Sequence, residues 1–129
     1  MFTARCAVLI MDTATSIERT AVAARDHHGR PCTVTVERHR QAAHRLHYDG
    51  GEHTTALLTA EVVELLTIAL AATGRTTIVA QHPTAGACTL LVIRGGNELR
   101  IFFHAATSTS AVLDWDATAR LRDALDVLR

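Results

Sequence analysis

Three observations predict an α+β domain with a mainly antiparallel sheet. Apolar residues alternate with polar ones in several short runs separated by glycine-rich turns, and two longer segments carry helix-capping signals. In addition, Cys32-Thr33-Val34-Thr35-Val36 is echoed by Cys88-Thr89-Leu90-Leu91-Val92, an offset of about 55 residues. The expectation is one domain over residues 1–129, built from two similar strand-hairpin-helix halves (about 1–74 and 75–129) and ending in an amphipathic helix. A chain of 129 residues is long enough to bury its own core.

The elements follow in order. Arg5 to Met11 reads as a short buried strand centred on Val8, Leu9 and Ile10. In Thr15 to Arg25 the capping-box spacing of Thr15-Ser16-Ile17-Glu18 favours a helix, although Ile17, Thr20 and Val22 also suit a strand. His27-His28-Gly29-Arg30-Pro31 is a turn, and Thr33 to Arg38 pairs with His44 to Tyr48 as a hairpin. After Asp49-Gly50-Gly51, Glu52 to Leu57 adds a short strand.

Thr59 caps a helix running to about Thr73, with Gly74 as its stop. Val62, Val63, Leu65, Leu66, Ile68, Ala69 and Leu70 leave this helix only a narrow polar stripe, so burial on more than one side is expected. Either a homo-oligomer covers it through Val62, Val63, Leu66, Ile68 and Leu70, or the Thr13 to Arg25 segment covers it within the monomer. Thr76 to Gln81, Cys88 to Arg94 and Glu98 to His104 read as strands, with Gly95-Gly96-Asn97 as a tight turn. Ala105 to Ser110 reads as a hydroxyl-rich connection, and Asp114 caps the last helix, whose inner face is Leu121, Ala124, Leu125 and Leu128. Trp115 reads as a core or staple residue of that helix.

Composition excludes more than it selects. All 13 basic residues are arginine, which rules out lysine Schiff-base and P-loop lysine chemistry and fits a G- and C-rich genome. The formal net charge is zero, so no global field draws the chain to nucleic acid or to an anionic membrane. Cys6, Cys32 and Cys88 form no CxxC pair and read as reduced, buried thiols of a cytoplasmic protein. No apolar run reaches membrane-spanning length. Nucleophile elbow, dinucleotide fingerprint, P-loop and EF-hand signatures are absent, no catalytic residue is assigned, and neither cofactor nor metal is expected.

The densest polar feature lies between Arg25 and His47. On the proposed hairpin, Thr35, Glu37, Arg45 and His47 share a face with the turn residues His39 and Arg40. Arg30, Arg38, His39, Arg40, Arg45 and His47 are the candidate phosphate or nucleic-acid contacts, since guanidinium groups hold phosphate through paired hydrogen bonds. The competing reading is a solvated strand face. Phe102 and Phe103 are adjacent, so one ring points inward and the other outward, and an exposed ring strengthens the nucleic-acid reading.

The predicted element order is similar to that of the Whirly family, whose two sheet-plus-helix halves bind single-stranded nucleic acid, and to that of SsgA-like cell-division proteins. It also resembles Roadblock-type modules, which dimerise and partner small GTPases. These resemblances concern topology and imply fold more than function. The favoured expectation is a non-enzymatic protein-interaction module that partners itself and another protein. The alternative is nucleic-acid binding through the arginine and histidine hairpin, and a small-ligand-binding domain or enzyme stands third.

Overall fold

The computed structural model describes residues 17–84, 86–105 and 107–129. The expected strand at Arg5 to Met11 lies outside them. Four strands are followed by a helix, and this order then occurs again: β1 (Ile17–Arg25), β2 (Pro31–His39), β3 (His44–Asp49), β4 (His53–Leu58) and α1 (Ala60–Ala71), then β5 (Gly74–His82), β6 (Gly86–Gly95), β7 (Glu98–His104), β8 (Ser108–Leu113) and α2 (Trp115–Asp126). All eight strands join one antiparallel sheet in the order β4-β3-β2-β1-β8-β7-β6-β5. The mainly antiparallel α+β class expected from the sequence is therefore observed.

Within each run of four, neighbouring strands pair along most of their length, from Ile17↔His39 to Arg25↔Pro31 and from Gly74↔Arg94 to His82↔Gly86. Between the runs, β1 and β8 meet at the single registered pair Arg25↔Val112. The sheet curls until its terminal strands β4 and β5 lie close without pairing, and α1 packs against both. α2 packs on β1, β2, β7, β8 and α1.

Two expectations are corrected. Residues from Ile17 onward form β1 rather than a helix, because β-branched Ile17, Thr20 and Val22 suit a pleated surface and the whole stretch finds a ladder with β2. Ser108, Thr109 and Ser110 start β8 rather than serving as a connector; they continue into Ala111-Val112-Leu113 and pair with β7. In both places a non-local partner overrides a local hydroxyl-rich signal.

The caps hold as read. Thr59 Oγ1 accepts from Val62 N at 3.2 Å and Asp114 Oδ1 from Ala117 N at 2.8 Å. α1 ends at Ala71 with Ala72 as its C-cap, and Gly74, at φ +97°, instead opens β5. The β6–β7 hairpin turns on Gly96 at φ +58° and Asn97, with Gly95 and Glu98 paired on either side.

One core joins the inner sheet face to both helices, with Phe103, Leu46, Leu58, Leu66, Leu70, Leu90, Ile101 and Leu125 fully buried. Val62, Val63, Leu66 and Leu70, expected at an oligomer interface, are buried within this core, under α2 and strands β4 to β6. The described part of the Thr13 to Arg25 segment is β1, a strand of the sheet. Of the expected interface residues Ile68 alone is exposed, at 56%, with Leu65 beside it at 38%. Trp115, expected as a core or staple residue, is 42% exposed, with the Arg94 guanidinium 4.3 Å above its ring.

Candidate functional site

Because both helices occupy the inner face, the chemistry of this chain lies on the outer face of the sheet, and strand register shows what is there. In the β1–β4 half, one cross-strand row is Arg19-Glu37-Arg45-Leu57, the next is Ala21-Thr35-His47-Thr55, and the next is Ala23-Thr33-Asp49-His53. In the β5–β8 half, the rows are Arg75-Ile93-Arg100-Val112, Thr77-Leu91-Phe102-Ser110 and Val79-Thr89-His104-Ser108. The first half is ionic, while the second carries the apolar side chains Val79, Leu91, Ile93, Phe102 and Val112 among arginine, threonine, serine and histidine.

Glu37 centres the ionic half. Its Oε2 accepts from Arg19 Nε at 2.7 Å, and its Oε1 lies 3.0 Å from His39 Nε2 and 3.0 Å from His47 Nε2. The His39 contact is a hydrogen bond, whereas His47 Nε2 is within ion-pair distance of Oε1 but outside strict hydrogen-bond geometry. His47 Nδ1 is 2.7 Å from Thr55 Oγ1, which fixes the imidazole. Burial pushes the Glu37 carboxyl up, but its contacts with His47, His39 and Arg19 outweigh this and hold it at about 2.

A carboxylate, an imidazole and a hydroxyl in line have the connectivity of an activated nucleophile. Here the carboxylate is shared with Arg19 and a second imidazole, so it neutralises a basic cluster rather than serving one base. A cleft of about 270 Å³ lies above the cluster, lined by Thr35, Thr55, Asp49 and His53 as well as Arg19, Glu37 and His47. Among the described residues, no three histidine, cysteine, aspartate or glutamate side chains are placed to hold a metal ion.

The remaining expected contacts are scattered. Arg38 faces Glu18 at 3.2 Å, and Arg30 Nε lies 3.4 Å from Asp26 Oδ2. Asp26 is itself buried; burial raises its carboxyl, yet the backbone N–H groups of Arg30 and His28 outweigh this and leave it lowered. Arg40 is exposed on the β2–β3 turn. Arg45 stands beside Glu37 in register without an ion pair among the described residues, and its Nε is buried and unpartnered. The hairpin thus presents paired cations more than free ones.

The outward apolar cluster of the β5–β8 half was missed from the sequence, although a signal for it existed. Leu90-Leu91-Val92-Ile93 and Ile101-Phe102-Phe103 are continuous apolar runs rather than alternating ones, the pattern of strands covered on both faces. Leu90, Val92, Ile101 and Phe103 fill the core, while Leu91, Ile93 and Phe102 point outward and are half-buried, Leu91 opposite Phe102 in register. Val79, on the same face, is 69% exposed.

Compared with known proteins, the chain matches no family model, no curated protein and no solved structure. Among the described residues, no helix is long and apolar enough to cross a membrane.

Proposed function

We propose that this chain is a non-enzymatic interaction module that assembles with a second copy of itself through the outer face of β5, β6 and β7, presenting the assembled surface to a further protein. The observation that carries this reading is the outward apolar cluster of exposed Val79 with half-buried Leu91 and Ile93, on strands whose other face already fills the core. Apolar sheet faces of this kind are covered in stable proteins, and isologous pairing is the commonest route to a homodimer. Arg75 and Arg100 border the patch and supply the polar rim that such interfaces carry.

The two four-strand-plus-helix halves are read as copies of one unit that diverged on this face. Arg19 corresponds in register to Arg75, Arg45 to Arg100 and Thr55 to Ser110, while Glu37 corresponds to Ile93 and His47 to Phe102. On this reading one copy kept a solvated ionic face and the other gained a binding face. Buried, unpaired Cys32 and Cys88 fit a reducing compartment such as the cytoplasm.

Nucleic-acid contact through the hairpin is the weaker alternative, since Arg30, Arg38, His39 and His47 already face carboxylates. The test is native mass spectrometry with light scattering at micromolar concentration. The wild type is expected as a dimer or larger assembly, and Leu91→Glu as a folded monomer with unchanged circular dichroism. A wild type that stays monomeric, or a Leu91→Glu variant that still assembles, refutes the proposal.

A further inference from the structure

β1 lies in the middle of the strand order, yet it is exposed as an edge strand is. Among the described residues it pairs with β2 along its whole length but with β8 only at Arg25↔Val112, so the side of residues 17 to 24 that faces away from β2 has no ladder partner. Of its nine residues, Val22 alone is buried. β8 does not reach this edge, because the chain turns at Asp114 into α2 just beyond Leu113. Free strand edges are liabilities that proteins cover, charge or interrupt with proline. Thr20-Ala21-Val22-Ala23-Ala24 carries neither charge nor proline, so this stretch calls for a cover.

The space beside the edge also has a charge. A cleft of about 410 Å³ lies between Ala23 and Ala24 of β1 and Val112 of β8, and its charged lining residues are Glu98, Asp114 and Arg25. Arg25 Nη1 is engaged, donating to Gly29 O at 3.0 Å. Asp114 caps α2 through one carboxylate oxygen, and Glu98 is held only by Arg100 at 3.7 Å, with over half of its side chain exposed. The cleft therefore has an excess of carboxylate.

One segment of this chain fits the edge by reach, pattern and charge. Cys6 to Met11 is an unbroken apolar run, and only the five residues Asp12-Thr13-Ala14-Thr15-Ser16 separate it from Ile17. Aspartate, threonine and serine suit a turn, and a connection of this length joins antiparallel neighbours but not parallel ones. Such a tether holds the run beside β1 at a roughly millimolar effective concentration, an advantage that neither a second copy nor a foreign strand has. Closing on this loop sets Met11 opposite Ile17, Val8 opposite Thr20, Ala7 opposite Ala21 and Arg5 opposite Ala23, which brings the Arg5 charge to the acidic cleft.

We propose that Arg5 to Met11 docks on the free edge of β1 as an antiparallel strand, with Arg5 facing Glu98 and Asp114. The edge is separate from the Val79, Leu91 and Ile93 patch, so self-assembly through that patch neither requires this docking nor prevents it.

The experiment is amide hydrogen exchange of the full chain, read residue by residue in ¹H–¹⁵N correlation spectra at a low and a high protein concentration. The β1 amides that point away from β2 are expected to be protected, equally at both concentrations and equally in Leu91→Glu. A full-length variant with both Val8→Pro and Leu9→Pro removes an N–H donor whichever of the two residues faces β1. It is expected to speed exchange at those edge amides roughly tenfold or more while β2 and β3 keep their protection. A cross-link gives a second measurement that does not depend on the folding of that variant. In a Cys6→Ser background, Ala7→Cys with Ala21→Cys is expected to close an intramolecular disulfide on mild oxidation, whereas Ala7→Cys with Asp49→Cys, two strands further on, is not. Fast exchange at the edge amides of the wild type, or exchange left unchanged by the two prolines, overturns the proposal. So does protection that rises with protein concentration, which assigns the edge to a second copy, or equal cross-linking of the two cysteine pairs.

Discussion

Arg19 and Glu37 face each other across β1 and β2, joined at 2.7 Å between Nε and Oε2, and this pair anchors the ionic half of the outer sheet face. Glu37 is nearly buried while Arg19 is largely exposed, so the arginine stays solvated and the carboxylate depends on its partners. The folded-state carboxyl lies at about 2 against an ordinary 4.5. A depressed pKa means that the folded state favours the charged form. The resulting stability is present above about pH 4.5 and is lost as pH falls towards 2. Its size is on the order of 3 kcal/mol. In urea unfolding at pH 7, Glu37→Gln is expected to lose about that amount, and the gap between variant and wild type should close by about pH 2. A gap of constant size across that range would show that the carboxylate charge contributes nothing.

α1 supplies an internal control on packing. Leu66 is fully buried and Ile68, two residues on, is 56% exposed. Leu66→Ala should cost about 2 to 5 kcal/mol by cavity formation, whereas Ile68→Ala should fall within about 0.5 kcal/mol. Equilibrium denaturation of the two variants measures both. Ile68→Glu is also expected to leave the oligomeric state unchanged, because the assembly face proposed above lies on β5 to β7. Dissociation on Ile68→Glu would instead move the interface to α1.

Much of the fold was legible because most strands carry their own signal. Val34 and Val36 alternate with threonine, Gly96-Asn97 demands a tight hairpin, and Thr59 and Asp114 cap their helices through single side chains. What failed depended on distant partners. Residues from Ile17 have a local helix signal and a local strand signal, and only the ladder with β2 decides between them. Ser108 to Ser110 read as loop until β7 is there to pair with them. The site was harder still. Sequence places Arg45, His47 and Glu37 on one strand face, but not the Arg19 that completes the cluster from β1. Outward-facing Leu91 and Ile93 could have been suspected from the unbroken apolar run of β6, since a sheet face left to solvent alternates.

Asp114 joins β8 to α2 at the point where the chain leaves the sheet. Its Oδ1 accepts from Ala117 N at 2.8 Å, and its carbonyl accepts from Thr118 Oγ1 at 2.7 Å, so one residue satisfies the helix start in two ways. Asp114→Ala should cost about 1 kcal/mol, read as a lower melting temperature, and Asp114→Asn most of that less. Thr118→Val, which removes the second bond alone, is expected to cost less than Asp114→Ala.

Cys32 and Cys88 occupy corresponding ladder positions, opposite Ala24 and Ala80, and both are free and buried. Burial pushes each thiol above its ordinary value; Cys32 is also affected by Tyr48, whose own hydroxyl is pushed up to about 12, chiefly by burial. Thiolate is the reactive form, so both cysteines should resist alkylation at neutral pH. In a Cys6→Ser background, iodoacetamide is expected to label neither site in the folded protein and both in 6 M guanidinium. Because opening must precede labelling, the rate in intermediate denaturant should follow the unfolded fraction measured by circular dichroism. Fast labelling of Cys32 or Cys88 below the unfolding transition would mean that one half of the sheet opens separately from the other, with the Arg25 and Val112 junction as the place where the two come apart.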